Sequence, residues 1–377
     1  MGKHALLSAS SSHRWLHCPP SARLCEHYED KGSDFAAEGT DAHALCEYKL
    51  KTALSIPADD PTAALPHYSA EMEDCANSYA SYVLEQVEEA RKSCPDPQVL
   101  IEQRLDYSRF VEDGFGTGDC VIIADGLLHV IDFKYGQGLL VDANDNPQMM
   151  LYALGALEAF DGIYDISTVA MTIFQPRREN VSTHIVFKES LYQWATEVLV
   201  PTAKLAFAGT GAFHCGEWCR FCRAKAECRE RAQANLALAA YEFQKPALLS
   251  SDEIAEILSK VDELVNWASD IKDFALQQAL TGVAFSGYKI VEGRSNRKYT
   301  SETAVAEAVL AAGYNPYEQS LLSVTALEKR LGKKTFADLI GALIEKPPGK
   351  PALVPDSDKR PVLSVSSAAD DFKATDG

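Results

Sequence analysis

The sequence predicts an α/β fold, a small mixed sheet flanked by helices, on three observations. Asp125-Gly126 separates two apolar runs, DCVIIA and LLHVIDFKY, which is the strongest short-range hairpin signal. Three more short segments rich in Val, Ile and aromatic residues, VLIEQRLDY, VAMTIFQP and VSTHIVF, have strand character. Helical spacing of apolar residues recurs between and around them, notably over 69–93 and after Asn146-Pro147.

Taken in order, residues 1–50 read as two helical pieces, RWLHCPPSARLCEHY and AEGTDAHALCEYKLK, separated by a polar turn. The proline-rich stretch 51–68 is expected to be a loop, and Pro95 with Pro97 stops the helix over 69–93. After the strand segments, Asn146 offers an N-cap and Pro147 a first-turn proline to QMMLYALGALEAF. SLYQWATEVLVPTAKLAFA is expected to be a helix leading to a cysteine cluster. This gives a principal domain over 1–235, a long amphipathic helix over 249–285, a small α+β module containing GYKIV over 286–345, and an extended tail over 346–377.

The chain has 377 residues, 46% hydrophobic and 24% charged, enough for a real core. No run of about 18 apolar residues occurs, and the first twenty-odd residues lack the order of an export signal, so a soluble cytoplasmic protein with no membrane partner is expected. A net charge of −18 argues against general polyanion binding, though a local basic channel is compatible with it. Arg220, Arg223, Lys225, Arg229 and Arg231 form one local reversal, with a solvated helix face as the plain alternative. Arg294, Arg297 and Lys298 form a smaller basic patch.

If Asp125 and Gly126 are the two loop residues of a type I′ turn, paired positions across the hairpin sum to 251 and Asp119 faces Asp132. Val121, Ile123, Leu128, Val130 and Lys134 share that face. Carboxylates about 5 Å apart repel by roughly 3 kcal/mol at an effective dielectric of 20. Lys134 supplies one counter-charge, and a divalent cation with oxygen ligands would supply two more. The plain alternative is an Asp-Lys ion pair at a sheet edge.

Asp119 followed by Asp132-Phe133-Lys134 resembles the core motif of the PD-(D/E)xK nuclease superfamily, whose fold is the restriction-endonuclease-like core. Glu38-Gly39-Thr40-Asp41-Ala42-His43 with Glu47 is similar to a helix motif of its RecB-like branch. Gln148 and Tyr152 match that branch's Q-x-x-x-Y element. The resemblance implies that Asp119, Asp132, the Phe133 carbonyl and His43 hold Mg²⁺ or Mn²⁺. It further implies that Lys134 orients or helps deprotonate water and that Gln148, beside Tyr152, positions the water or phosphate. Glu38, Glu47 and Glu102 are further candidates near the site.

Ten cysteines without an export signal are expected to be reduced, as core residues or metal ligands. Cys46, Cys75 and Cys120 lie in periodic apolar segments, and Cys25 and Cys94 have no evident partner. Cys219, Cys222 and Cys228 fall one soft ligand short of a tetrahedral metal or cluster site. Cys215 would complete a local site, and His214 offers nitrogen to zinc. RecB-like nucleases of the AddB-type and CRISPR-associated kind place one cysteine in a C-P context before the core and C-x₂-C-x₅-C after it. Similarity to that subset implies Cys18 as the fourth ligand and a 4Fe–4S cluster, with zinc as the alternative.

Almost end to end, the chain also resembles a phage and prophage family of RecB-like proteins. This implies a phage or prophage origin, a bacterial host cell, and replication or recombination proteins as partners. The expected activity is a metal-dependent DNA nuclease, exonucleolytic or acting on single strands and duplex ends. The alternative is a non-catalytic nucleic-acid-binding accessory protein that retains the fold.

Overall fold

The computed structural model describes residues 5–29, 32–237, 249–292, 299–317 and 321–345. The chain divides into two compact units, Met1–Val291 and Glu292–Gly377.

The first unit opens with two short helices, α1 (Ser12–His17) and α2 (Ser21–Leu24), and then α3 (Asp34–Ala53) and α4 (Ala70–Arg91). Ser33 and Ser69 cap α3 and α4 by accepting the amide hydrogens of Ala36 and Met72. Five strands follow in a mixed sheet of sequential order: β1 (Gln98–Asp106), β2 (Phe115–Ala124), β3 (Gly126–Phe133), β4 (Ile166–Gln175) and β5 (Asn180–Phe187). All neighbours pair antiparallel except β3 and β4, which run parallel because the connection between them carries α5 (Pro147–Phe160). Asn146 caps α5 through its side-chain oxygen, which accepts from Gln148 N and Met149 N. The chain continues through α6 (Lys188–Trp194), a π-helical turn at Ala195–Leu199, α7 (Val200–Ala208), α8 (Arg229–Leu236) and α9 (Ser251–Leu280). A capping box between Ser250 and Glu253 starts α9.

Two apolar layers sandwich the sheet. Val121, Ile123, Leu128 and Val130 pack with Met149, Leu151 and Leu154 of α5 and with Trp15 of α1. The alternate residues Cys120, Ile122, Ile131 and Phe133 pack with Leu45 of α3 and with Tyr79 and Val83 of α4. Cys46, Cys75 and Cys120 are buried here as small hydrophobes. Gly155 lets α5 approach β1, since a Cβ there would lie 3.0 to 3.3 Å from Leu105 and Asp106. None of the described helices is long and apolar enough to cross a membrane.

Three expectations need correction. The hairpin has the two-residue loop and the register summing to 251, from Cys120↔Ile131 to Ala124↔Leu127. Its turn is not type I′, because Gly126 has a positive φ of 80° and Asp125 does not. Loop length therefore sets the register without the turn type foreseen. The long helix belongs to the first unit with the principal domain rather than standing apart from it. The second unit is not α+β among its described residues, which form α10 (Glu302–Ala311), α11 (Val324–Leu331) and α12 (Lys333–Ile340). GYKIV, at the end of the first unit, forms no strand: Tyr288, Ile290 and Val291 are exposed and no described strand lies beside them to pair with. Arg294, Arg297, Lys298 and the tail over 346–377 lie outside the described residues.

Candidate functional site

The β2–β3 ladder stops at Cys120↔Ile131, one pair before the two aspartates would meet. There the Asp119 side chain replaces the backbone: its Oδ2 accepts the Phe133 amide at 2.7 Å. Its other oxygen, Oδ1, lies 3.1 Å from Nδ1 of His43, which α3 brings in from the opposite layer. The His43 ring stands edge-on to Phe133, with ring centres 5.5 Å apart. On β1, Glu102 stands across from Asp119 between the pairs Ile101↔Cys120 and Gln103↔Gly118, at a φ of 50°. A bulky non-glycine residue in that region costs of order 1–3 kcal/mol, a strain that clusters at functional sites. One ligand atom each from His43, Glu102 and Asp119 lies within 4.8 Å of the others, the sole such trio of His, Cys, Asp or Glu among the described residues.

Asp132 is 3% exposed and belongs to a polar chain running toward α5. Its Oδ2 is 3.0 Å from Nζ of Lys134 as an ion pair, with no well-aligned hydrogen bond. Its Oδ1 accepts from Gln148 Nε2 at 3.2 Å. Gln148 also accepts from Lys134 Nζ at 3.2 Å and donates to the Tyr152 hydroxyl at 3.2 Å. The i, i+4 spacing puts Gln148 and Tyr152 on one face of α5. Gly116 makes room for Tyr152, because a Cβ there would sit 2.6 Å from the ring.

The charges strain one another. Burial, then the charge of Asp119, pushes the Glu102 carboxyl up to about 7. Burial also raises Asp132, with Lys134 opposing and Asp119 adding to the rise. For His43, burial favours the neutral ring, yet the Asp119 charge and hydrogen bond outweigh it and the pKa rises. Lys134 rises too, because Asp132 and Asp119 overcome the cost of burying its ammonium. Three carboxylates and the His43 ring thus crowd together at the end of the hairpin, with the Lys134 ammonium as a counter-charge rather than a ligand. This donor set suits a hard or borderline divalent cation.

Of the other candidates, Glu47 is held 2.5 Å from Lys51 and reaches Glu102 only through its charge. Glu38 sits 3.5 Å from Arg177, which also grips Glu71 at 3.2 Å. Arg177 has no motif to flag it in the sequence. A groove of about 1200 Å³ leads from Lys134 and Gln148 past His13 to Arg220 and Phe221.

Cys18, Cys219, Cys222 and Cys228 line a second, narrow cavity, so the fold brings together residue 18 and the cluster two hundred residues later. Cys215 lines the large groove instead and hydrogen-bonds with Cys219. His214 lines the cysteine cavity. Cys25 does have a partner: its Sγ is 3.7 Å from that of Cys222 and accepts from Arg14 at 3.0 Å. The Cys222 hydrogen bond, aided by Arg14 against burial, draws the Cys25 thiol down to about 5. No three sulfurs among the described residues lie mutually within 4.8 Å. The basic run is not one solvated face. Arg231 is 1% exposed and bound to Glu263 and Asp270 at 2.5 Å each, and Lys225 is 2.6 Å from Asp270.

Carboxylates, a histidine and a lysine meet at the open end of the β2–β3 hairpin, and four cysteines line a separate cavity. The chain belongs to the family described as proteins of unknown function DUF2800, which it matches over residues 4–361. One solved structure, that of SSO0001, is similar at 14% identity over 50% of this chain and 95% of its own, with a TM-score of 0.21. A score that low carries no weight for fold or function.

Proposed function

We propose that this protein is a metal-dependent DNA nuclease with a restriction-endonuclease-like core of the RecB-like kind. The observation that carries the reading is the convergence of Asp119, Asp132, Lys134 and Gln148 at the open end of one hairpin, with His43 and Glu102 facing Asp119. His43, Glu102 and Asp119 would hold Mg²⁺ or Mn²⁺, with Asp132 and the Phe133 carbonyl adjoining. A bound cation supplies a water of lowered pKa and neutralises charge developing on a phosphate. Within the chain, the paired Asp132 keeps Lys134 charged and pointed at the site, where its ammonium orients water or a phosphate oxygen. Gln148, braced by Tyr152, fixes the Lys134 and Asp132 side chains relative to each other. The groove beginning at Lys134 offers a path for a single strand or a frayed end.

Cys18, Cys219, Cys222 and Cys228 are read as ligands of a structural 4Fe–4S cluster that ties the first helices to the end of the nuclease core. Zinc with four thiolates at about 2.3 Å needs sulfurs roughly 3.8 Å apart. The spacing of the thiols is wider than that for any trio. Loading the cluster requires the thiols to swing outward, since the cavity measures about 20 Å³, about one water's room.

The test compares wild type with Asp132→Ala and Lys134→Ala on end-labelled single- and double-stranded DNA with Mg²⁺ or Mn²⁺. Cleavage by wild type and its loss in both variants is expected. Binding without cleavage by wild type would favour the accessory role. Iron and sulfide assays on anaerobically purified protein, with Cys18→Ala alongside, test the cysteine site.

A further inference from the structure

The narrow cavity is lined by three cations, Arg14, Lys225 and Arg231, and by no carboxylate, in a chain of net charge −18. Lys225 and Arg231 are already paired with Asp270 and Glu263, so the lining's excess positive charge comes from Arg14. Arg231 is the most informative of the three. A guanidinium has five N–H donors in a fixed fork. Nε is 2.5 Å from Glu263 and Nη1 is 2.5 Å from Asp270, and Nη1 also donates to the Lys225 carbonyl at 3.2 Å. Nη2 is buried and donates to no group among the described residues. An unmet buried donor forfeits its hydrogen bonds to water, a larger loss when the group is charged. The cavity's acceptors include the four cysteine sulfurs; neutral thiols accept weakly, whereas a cluster's thiolates and sulfides are anionic.

We propose that Arg231 is a positioning residue of the cysteine site: Nη2 donates to sulfur of the bound iron–sulfur group while Nε and Nη1 hold Glu263 and Asp270 of α9. The inference rests on the cysteines binding such a cluster and goes beyond it. Glu263 lies on both α9 and the wall of the large groove. Loss of the group would therefore loosen α9 and the groove wall together.

The experiment uses full-length protein reconstituted anaerobically with iron and sulfide, as wild type, Arg231→Lys and Arg231→Gln. Hydrogen bonds to cluster sulfur stabilise the reduced, more negative state. The midpoint potential of Arg231→Gln is therefore expected to fall by the equivalent of tenfold or more in the one-electron equilibrium, about 59 mV. Arg231→Lys, which keeps the charge, falls less. In wild type, amide exchange across 251–280 is expected to quicken at least tenfold after chelation of the iron, while exchange in α4 does not change. Unchanged potentials in both variants, or α9 exchange indifferent to iron, overturn the inference and leave the cluster reading standing. A wild type that takes up no iron overturns both. If Arg231→Gln does not fold, Arg231→Lys and the wild-type exchange comparison still decide.

Discussion

Replacing Glu102 by glutamine tests whether the crowded carboxylates are built for a cation. The folded protein holds the Glu102 proton with a pKa of about 7 against an ordinary value near 4.5, through burial and then Asp119. The folded state therefore binds the proton more tightly than the unfolded chain between those values, and stability falls as pH rises through that window. At about 1.4 kcal/mol per tenfold difference in proton affinity, the ionised Glu102 costs about 3 kcal/mol at pH 8 and about 1 kcal/mol at pH 5. Metal-free Glu102→Gln should accordingly be more stable than wild type by up to about 3 kcal/mol at pH 8, with the gain shrinking toward pH 5. At about 2–4 °C per kcal/mol for a unit somewhat smaller than this one, the midpoint rises by at most roughly 6 to 12 °C. Adding Mg²⁺ or Mn²⁺ at about 100 times its Kd should stabilise wild type by about 2.7 kcal/mol, and the variant by much less. Thermal unfolding at pH 5 and 8, with EDTA or with metal, measures both effects. A metal-free variant no more stable than wild type at pH 8 would refute the picture of an electrostatically strained site awaiting a cation.

Other outcomes follow from the same geometry. Gly116→Ala should push the Tyr152 ring away and unseat Gln148, lowering the single-turnover cleavage rate on the order of a hundredfold while far-UV circular dichroism stays native. Asp119→Asn should abolish the thermal shift produced by Mn²⁺, because Asp119 adjoins His43 and Glu102. Thr172→Val removes the hydroxyl 2.8 Å from buried His129 Nε2 and should cost about 1–3 kcal/mol in urea unfolding. Burial holds His129 neutral, with its pKa lowered to about 4, so its contribution to stability should be lost as pH falls from about 6.5 toward 4, measured with EDTA in the Glu102→Gln background, where the opposing gain from Glu102 is absent.

The hairpin was legible because a two-residue loop and side-chain alternation are local properties. Asp125-Gly126 fixed which residues of β2 and β3 oppose, and Asn146-Pro147 marked the start of α5. What alternation could not supply was the end of the ladder, where Asp119 leaves strand pairing to accept the Phe133 amide. Glu102 carried no local signal for its left-handed backbone, which depends on its place between two ladder pairs. The Cys25–Cys222 contact was equally hidden, since it joins residues 197 apart through the packing of the first helices near the cysteine loop.

The basic run after Cys219 shows how composition misleads when tertiary contacts decide. Five cations in a dozen residues suggest either a polyanion surface or a solvated helix. Glu263 and Asp270 lie seven residues apart on α9, two turns along one face, and that spacing lets both reach Arg231 while Asp270 also takes Lys225. Two of the five cations are thereby withdrawn from any nucleic acid, whereas Arg220 remains on the groove that begins at Lys134. On the proposed nuclease reading, affinity for a strand comes from few charges and a bound cation, which predicts a shallow salt dependence. With a slope of about −0.7 to −0.9 for each phosphate neutralised, a slope of log K against log salt steeper than about −4 would contradict a groove that keeps so few free cations.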